Sequence, residues 1–458
     1  MDVLLINPIW TYEKRHAYSG VGNVLPPLGL AYIAAVIENK CHNVKIFDGQ
    51  VSSDKEFENI ITSFKPKIVG ISSMTSFAVA AYKTADKVRR MLPDSLIVMG
   101  GPHPTILVEE ALKKGVDVVV RGEGEYIFAD LVENYPAYDE VKGISFIKNG
   151  KITHNPDRGF IKNLDELPFP ARHLIKMDRY KPTPGNYKRS PVTSMISSRG
   201  CPYKCTFCSK AIFGGVVRMR SAENIIKEIE HLIEKYNIKE VLFHDDTLTL
   251  NSERMIQICD LIIKKNLDIT WNCFARVNNV TKPLLEKMKA AGCCYVGYGV
   301  ETGDAKILEN IKKGVTLDQV RNAVKLTKEV GLEVRVFMMF GAPGETLGSI
   351  QRSMKFVKEI KPDITNFNIL TPYPGTEIYN WAKENGYLVS EDWSLYEQSV
   401  PLINLPTISN EEIRKWYVKS FKSFYLNPAF VFRSLLKIRN IEDIKRYLKA
   451  GKGVLGLK

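Results

Sequence analysis

Short apolar runs alternate with longer amphipathic segments near the start of the chain. The runs are rich in Val and Ile, which is typical of strands that are buried on both faces of a parallel sheet. They predict strands at Asp2–Asn7, Val44–Asp48, Ile68–Ser73, Leu96–Met99 and Val116–Arg121, with helices at Leu28–Glu38, Phe77–Leu92, Thr105–Lys113 and Glu125–Glu133. The alternation indicates an α/β, Rossmann-like doubly wound sheet, and such sheets bind ligands beyond the carboxyl ends of their strands.

A second alternation of the same kind begins near residue 191. Its predicted strands are Thr193–Ser197, Glu240–His244, Asp268–Phe274, Cys294–Val300, Glu333–Phe340 and Ile364–Leu370, and its predicted helices are Ala222–Tyr236, Ser252–Lys265, Lys282–Ala291, Leu317–Val330 and Leu347–Ile360. Six strand-helix units predict a partial barrel of the TIM type, because about eight are needed to close one. Its ligand site is again expected at the carboxyl ends of the strands.

The two alternations and the segments around them predict the domain organisation. We expect an N-terminal sheet domain at 1–137, a connector at 138–190, a partial barrel at 191–390 and a helical basic region at 391–458. The connector is rich in proline and charge, and residues 148–151 predict one hairpin within it.

The overall composition is that of a globular enzyme. The chain has 458 residues, of which 45% are hydrophobic and 25% are charged. No apolar run reaches the roughly 18 residues that span a bilayer. The first residues are typical of a strand rather than a signal peptide, so we expect a cytoplasmic protein without disulfides.

The positive charge is concentrated in the last segment of the chain. The net charge is +13, and residues 414–458 hold twelve Lys or Arg against two acids. Aromatic and aliphatic residues recur there at helical spacing, which favours either a cap packed on the barrel or an interfacial helix at a membrane surface. A nucleic-acid or protein partner is the third interpretation of this segment. Nucleic acid is not favoured, because the charge is local and no RNA-binding motif is present.

Three cysteines directly after the first predicted barrel strand carry the most specific chemistry. Cys201, Cys205 and Cys208 stand in C-x3-C-x2-C spacing. Three thiolates in one loop suit an iron–sulfur cluster and leave one iron of a four-iron cluster open to a small molecule. Zinc is the alternative, but it would require a fourth ligand nearby. Chance cysteines in a core are the other alternative.

With Phe207 before its last cysteine, this motif resembles the signature of the radical S-adenosylmethionine (SAM) superfamily. The resemblance implies a [4Fe-4S] cluster on the three cysteines, SAM on the open iron, and its reductive cleavage to a 5′-deoxyadenosyl radical. It also implies an electron donor such as a flavodoxin or ferredoxin. The resemblance implies a SAM contact at Phe207 within the cysteine motif and further contacts at successive strand ends. These are Asp245 and Asp246 for the amino group, Arg276 for the carboxylate, Glu301 for the ribose, and Gly341 near adenine.

The N-terminal strand ends are rich in Gly, Ser and Pro, but no G-x-G-x-x-G or Walker loop follows the first strand. Placed ahead of a radical SAM barrel, this domain resembles the cobalamin-binding module of the B12-dependent class. The resemblance implies cobalamin contacts at Pro27, Leu28, Ser72, Ser73, Thr75, Gly100, Gly101, His103, Gly122 and Glu123. Many cobalamin carriers place a histidine two residues after an aspartate, whereas Gln50 follows Asp48 here. We therefore expect base-off cobalamin without a protein histidine ligand, and His103 near the nucleotide tail.

The resemblance implies three functions. The first is a methyltransferase that acts on an unactivated carbon, for which the basic aromatic tail suggests a lipid or other hydrophobic substrate and peripheral membrane contact. The second is a non-methylating cyclase or C–C bond-forming enzyme, like the anaerobic cyclase of bacteriochlorophyll synthesis. The third is a corrinoid or iron–sulfur sensor or carrier without turnover. No catalytic side chain beyond the cofactor contacts is predicted.

Overall fold

The computed structural model describes residues 1–10, 24–180, 182, 186–436, 438 and 441–456. Its N-terminal elements are β1 (Asp2–Asn7), α1 (Leu28–Asn39), β2 (Asn43–Asp48), α2 (Asp54–Phe64), β3 (Ile68–Ser72), α3 (Ala78–Met91), β4 (Leu96–Gly100), α4 (Pro102–Ile106), α5 (Val108–Lys113), β5 (Val118–Val120), α6 (Gly124–Asn134), β6 (Ile144–Lys148) and β7 (Lys151–His154). The strands form one sheet in the order β2-β1-β3-β4-β5-β6-β7. The first five strands are parallel, which confirms the doubly wound fold.

The sheet is buried on both faces. Helices α1 and α6 cover one face, where Leu30, Ile37 and Phe128 pack, and helices α2, α3 and α5 cover the other. The predicted hairpin at residues 148–151 is present, and its strand β6 pairs antiparallel with β5. The hairpin therefore belongs to the N-terminal sheet, while the predicted domain boundaries stay a prediction.

The second half of the chain begins with β8 (Val192–Met195), β9 (Ser198–Arg199) and β10 (Arg218–Met219). It continues with α7 (Ala222–Tyr236), β11 (Glu240–Phe243), α8 (Ser252–Lys264), β12 (Thr270–Ala275), α9 (Lys282–Ala290), β13 (Cys293–Glu301), α10 (Ala305–Asn310), α11 (Leu317–Glu329), β14 (Glu333–Phe340), α12 (Leu347–Ile360), β15 (Ile364–Ile369), α13 (Glu377–Glu384), α14 (Asn410–Tyr425), α15 (Pro428–Leu435) and α16 (Ile441–Leu455). Six strands pair in parallel in the order β15-β14-β13-β12-β11-β8, which confirms the partial barrel.

Alternate residues of the barrel strands face opposite sides. The outward set, which includes Phe243, Trp271 and Val336, packs against the helices in one large core. Helix α14 then closes the barrel beside β15, where Tyr417 and Phe421 are buried and the Tyr425 hydroxyl donates to the carbonyl of Thr365 at 2.7 Å. This first helix of the basic region is therefore a structural cap.

Buried ion pairs join the connector to the barrel. Glu228 of α7 is fully buried and accepts from Arg172 of the connector at 2.7 Å and from Arg220 at 2.5 Å. The two guanidinium groups hold the pKa of Glu228 below its usual range, although burial alone would raise it. The connector is thus fixed to the barrel by charges that are costly to expose or unpair.

Candidate active site

The three cysteines lie in a loop whose ends are held together. Strands β9 and β10 form an antiparallel ribbon in which Arg199 pairs with Arg218, and the cysteine loop spans the residues between them. Gly200 has a φ of +88°, and a Cβ there would lie 2.3 Å from the carbonyl oxygen of Val216. Only glycine permits this close approach at the base of the loop.

The thiols are accessible for ligation. Cys208 is exposed, Cys201 and Cys205 are half-buried, and all eight cysteines of the chain are free. No group of three or more His, Cys, Asp or Glu side chains in the described part of the chain is arranged to hold a single metal ion. Although Cys208 is exposed, desolvation by the surrounding protein, and next the charge of Asp246, raise the pKa of its thiol to about 11, so this thiol must lose its proton when it binds iron.

A guanidinium lies beside the same loop. Nη1 of Arg276 is 3.8 Å from the sulfur of Cys205, and the guanidinium stacks over the ring of Tyr203, 3.8 Å from its centroid. Nε of Arg276 is buried without a hydrogen-bond partner among the described residues. An unsatisfied buried cation at this position is suited to a carboxylate, as predicted for the SAM carboxylate.

The two acids after β11 have different environments. Asp245 is buried and accepts from the backbone N–H of Ser197 at 3.1 Å, from its hydroxyl at 2.7 Å, and from the hydroxyl of Ser198 at 2.5 Å. Asp246 is exposed. Desolvation by the surrounding protein, and next the charge of Asp245, raise the pKa of Asp246. A cation such as an ammonium group would relieve this repulsion, so Asp246 is the better candidate for the SAM amino group.

Glu301 sits in a strained position at the end of β13. Its φ is +68°, and the register of β13 shifts between Gly299 and Glu301. Oε1 of Glu301 accepts from Nζ of Lys313 at 2.6 Å, and that ammonium lies 5.7 Å from the ring centroid of Phe207. A Cβ at Gly299 would lie 2.5 Å from this oxygen. The structure therefore brings Glu301 and Phe207 together, with Lys313 between them.

The turn after β14 is held by an acid. Gly341 has a φ of +89°, and its N–H donates to Oε2 of Glu345 at 2.6 Å. Glu345 is fully buried, which raises its pKa to about 7. The backbone N–H of Gly341 is thus occupied within the protein, and adenine contact at this turn stays a prediction.

The inner face of the half-barrel carries further candidate residues. The ring centroid of Phe274 lies 5.5 Å from that of Phe337 and 6.1 Å from that of the exposed His244. Phe337 pairs in register with Asn366, and Asn368 follows on the same face. Neither of these two side-chain amide groups makes a hydrogen bond within the part of the chain that is described. The inner face is therefore lined by the aromatic rings of Phe274 and Phe337 and by the side-chain amide groups of Asn366 and Asn368.

The loops predicted for cobalamin share one edge of the N-terminal sheet. A Cβ at Gly101 would lie 2.6 Å from the carbonyl oxygen of Ser73, so the chain after β4 packs closely against the chain after β3. The hydroxyl of Ser73 is buried and has no partner among the described residues. Gly122 has open space around it. The remaining predicted contacts stand at the same strand and helix ends: Pro27, Leu28, Ser72, Thr75 and Gly100.

His103 is fully buried and both of its ring nitrogens are engaged. Nδ1 is 3.2 Å from the hydroxyl of Thr75, and Nε2 is 3.1 Å from the hydroxyl of Tyr82. Its ring also contacts Trp393 edge-on at 5.3 Å. The carboxylate of Asp48 accepts from the hydroxyl of Tyr180 at 2.6 Å, and the residue two positions after it is Gln50 rather than a histidine. Both ring nitrogens of His103 are thus occupied within the protein, and cobalamin without a protein histidine ligand stays a prediction.

Two family models match the chain in the order of its two sheets. A model of the B12 binding domain matches residues 18–132, and a model of the Radical SAM superfamily matches residues 195–357. An uncharacterised methyltransferase of Pyrococcus horikoshii is 38% identical over 446 residues, which cover 95% of this chain and 95% of that protein. The chain belongs to the cobalamin-dependent radical SAM enzymes.

Other relatives of this cobalamin-dependent radical SAM enzyme include cyclases as well as methyltransferases. The anaerobic magnesium-protoporphyrin IX monomethyl ester cyclase of Rubrivivax gelatinosus is 27% identical and covers 98% of this chain and 83% of its own length. The hopanoid C-3 methylase of Methylococcus capsulatus is 28% identical over a stretch that covers 83% of this chain and 73% of that protein. Methyl transfer is the activity class of the 38%-identical relative and is the better assignment for this chain.

Two solved structures share the fold. TsrM of Kitasatospora setae, with cobalamin and a [4Fe-4S] cluster bound, has a TM-score of 0.70 at 18% identity and covers 93% of this chain and 89% of its own. OxsB, with aqua-cobalamin and SAM bound, has a TM-score of 0.76 at 18% identity, and the match covers 99% of this chain and 72% of the OxsB chain. The domains and these neighbours together establish the cofactor set of the family, a [4Fe-4S] cluster, SAM and cobalamin.

Among the predicted SAM residues, Phe207, Asp246, Arg276 and Glu301 lie in or beside the cysteine loop. The carboxylate of Asp245 and the backbone N–H of Gly341 are instead occupied by protein contacts. Four residues escaped the sequence analysis: Lys313, Glu345, Asn366 and Asn368. The strand motif I-T-N-F-N-I did contain a usable signal, because its polar residues alternate with buried ones. Lys313 and Glu345 lie outside any strand and gave no such signal.

Proposed function

We propose that the chain transfers a methyl group to an unactivated carbon of a hydrophobic substrate. The observation that carries the proposal is the buried contact between the base of the cysteine loop and the loop after β5, where Arg199 donates to Glu123 at 2.8 Å. This contact supports one reaction space bordered by both cofactor sites. When bound, the cluster with SAM supplies a 5′-deoxyadenosyl radical, and cobalamin supplies a methyl group.

The residues of the chain then bind and orient. Asp246 and Arg276 hold opposite charges beside the cysteine loop and would orient the amino acid part of SAM. Phe274 and Phe337 cover the inner wall and exclude water from a reactive carbon radical. Asn366 and Asn368 would position a polar group of the substrate. A flavodoxin or ferredoxin is proposed as the electron donor.

The test is an anaerobic reaction of the reconstituted enzyme with dithionite and SAM that carries a labelled methyl group. A lipid extract and a polar extract of cells are offered separately as substrate. We expect 5′-deoxyadenosine, S-adenosylhomocysteine and a labelled product that is heavier by one CH2 unit, in the lipid arm. Formation of 5′-deoxyadenosine with loss of hydrogen from the product would instead support a cyclase, as in the relative from Rubrivivax gelatinosus.

The lipid part of the proposal rests on the last two helices. No helix among the residues described is long and apolar enough to cross a membrane. Several apolar side chains of α15, of its C-terminal cap Leu436 and of α16 are nevertheless largely exposed: Phe432, Leu435, Leu436, Ile441, Leu448 and Leu455. Lys445 and Lys452 lie on the same helix as three of them, whereas Lys437, Arg439 and Lys458 lie outside the described residues. Exposed apolar groups with lysines favour an interface with anionic lipid.

Truncation after Leu426 is expected to abolish binding to anionic vesicles without loss of fold, because α14 stays packed on the barrel. The full-length enzyme should sediment with vesicles that contain phosphatidylserine and should be released by high salt. A Phe432→Ser, Leu436→Ser variant keeps the charge and should bind more weakly than the parent. Equal sedimentation of the full-length and truncated chains would contradict membrane contact through α15 and α16.

A further inference from the structure

The cysteine loop is held at its base by two arginines that face each other. Arg199 on β9 and Arg218 on β10 are paired positions of the two-stranded ribbon, and both side chains are buried. Every residue of the cysteine loop lies between them in sequence. Whatever fixes these two arginines therefore fixes both ends of the loop that carries Cys201, Cys205 and Cys208.

One carboxylate of the N-terminal domain contacts both arginines. Oε1 of Glu123 accepts from Nη1 of Arg199 at 2.8 Å, and Oε2 accepts from Nη1 of Arg218 at 2.6 Å. Oε2 also accepts from the backbone N–H of Ile161 at 2.7 Å. The side chain of Glu123 is 1% exposed. Its oxygens are occupied by the protein, so a cobalamin contact by this carboxylate stays a prediction.

A second acid balances the charge but contacts only one arginine. Glu125 accepts from Nη2 of Arg199 at 2.5 Å. Two buried glutamates and two buried arginines thus form a neutral group. Removal of either glutamate leaves one buried positive charge uncompensated, but only loss of Glu123 releases Arg218 from its ion pair.

Glu123 also has a defined place in the cobalamin domain. It directly precedes α6 and follows Gly122, whose surroundings are open, at the carboxyl end of β5. The same short loop therefore borders the sheet edge predicted for cobalamin and grips the base of the cluster loop. Rigid packing of this kind transmits the position of one loop directly to the other.

We propose that Glu123 is a positioning residue that sets the distance between the cluster and the cobalt. This inference rests on the proposed function only in that both cofactors bind where the family places them. Both carboxylate oxygens of Glu123 bond to protein groups, so it would act through the two arginines and not directly on the reacting atoms. It fixes both arginines at once, so its loss should let the cysteine loop move relative to the cobalamin loops.

The test compares Glu123→Gln, Glu123→Asp and the matched control Glu125→Gln in the full-length holoenzyme. Hydrogen–deuterium exchange of peptides from residues 200–217 reports the mobility of the loop. Pulsed EPR between the reduced cluster and cob(II)alamin reports their separation. For Glu123→Gln we expect about tenfold faster exchange in this segment and a broader distance distribution. Glu123→Asp keeps the charge and should lie between, and Glu125→Gln should change the distances least.

Three results would overturn the proposal. They are an unchanged distance distribution in Glu123→Gln, an equal or larger effect of Glu125→Gln, and an equal rise of exchange in β13 and β14, which would mean general destabilisation. If Glu123→Gln does not fold, Glu123→Asp decides, because a distance distribution like that of the parent overturns the proposal and a broader one supports it. Neither measurement depends on methyl transfer, so failure of the proposed function would be visible separately.

Discussion

Replacement of Cys201, Cys205 and Cys208 together by alanine is expected to remove the cluster and abolish formation of 5′-deoxyadenosine. The three thiols are the cysteine ligands that the loop offers, and iron–sulfur clusters are held by cysteine thiolates. The fold should survive, because the three side chains are exposed or half-buried and contribute little to the core. Iron and sulfide content, SAM cleavage and the thermal unfolding midpoint of the reconstituted protein give the measurement.

The matched control is Cys259→Ala. This thiol is also free but lies fully buried among the helices of the barrel, far from solvent. Its loss leaves a small cavity that costs about 1 kcal/mol of stability, while iron content and SAM cleavage should equal those of the parent. Retention of iron by the triple variant, or its loss in Cys259→Ala, would show that the ligands are assigned wrongly.

The periodic elements of the fold were predictable because burial dictates their pattern. Each barrel strand was placed to within about two residues, since its apolar residues face a helix layer. Helix α2 was missed although Ser53 and Glu56 form a capping box at its start, which is a local signal that the apolar pattern does not show. The predicted helix at Thr105–Lys113 is two helices, because Leu107 leaves the helical conformation between α4 and α5.

From the residues alone, the candidate site was predictable only where its chemistry is local in sequence, and Asp246, Arg276 and Glu301 were named only through the family resemblance. The cysteine spacing lies within one loop, so it was readable directly. The Glu301–Lys313 pair and the Glu123–Arg218 pair join residues that are distant in sequence, and no pattern in a single sequence marks such partners. The tail shows the same limit, because one aromatic pattern covers α14, which packs on the barrel, and α15, which exposes Phe432.

Asp245 and Asp246 are adjacent in sequence, yet we expect replacement of Asp245 to lower the stability of the protein and replacement of Asp246 to lower its affinity for SAM. Asp245→Ala should destabilise the protein by about 3 kcal/mol, because it leaves buried donors of Ser197 and Ser198 without an acceptor. Cluster content should then fall as well, since Ser198 begins the strand that leads into the cysteine loop. Thermal unfolding and iron content measure this variant.

Asp246→Asn should change the unfolding midpoint far less than Asp245→Ala, because this side chain is exposed and its remaining amide oxygen can still accept from the backbone N–H of Gly200. The substitution removes the negative charge that is proposed to pair with the amino group of SAM and whose repulsion by Asp245 that group would offset. The affinity of the cluster-loaded enzyme for SAM should therefore fall by about tenfold or more. Equilibrium binding of SAM to the unreduced holoenzyme measures the affinity without turnover, and Asp246→Glu, which keeps the charge, should recover part of it. Unchanged affinity in Asp246→Asn together with lost affinity in a folded Asp245→Ala would reverse the two roles, because the buried acid would then be the one that meets SAM.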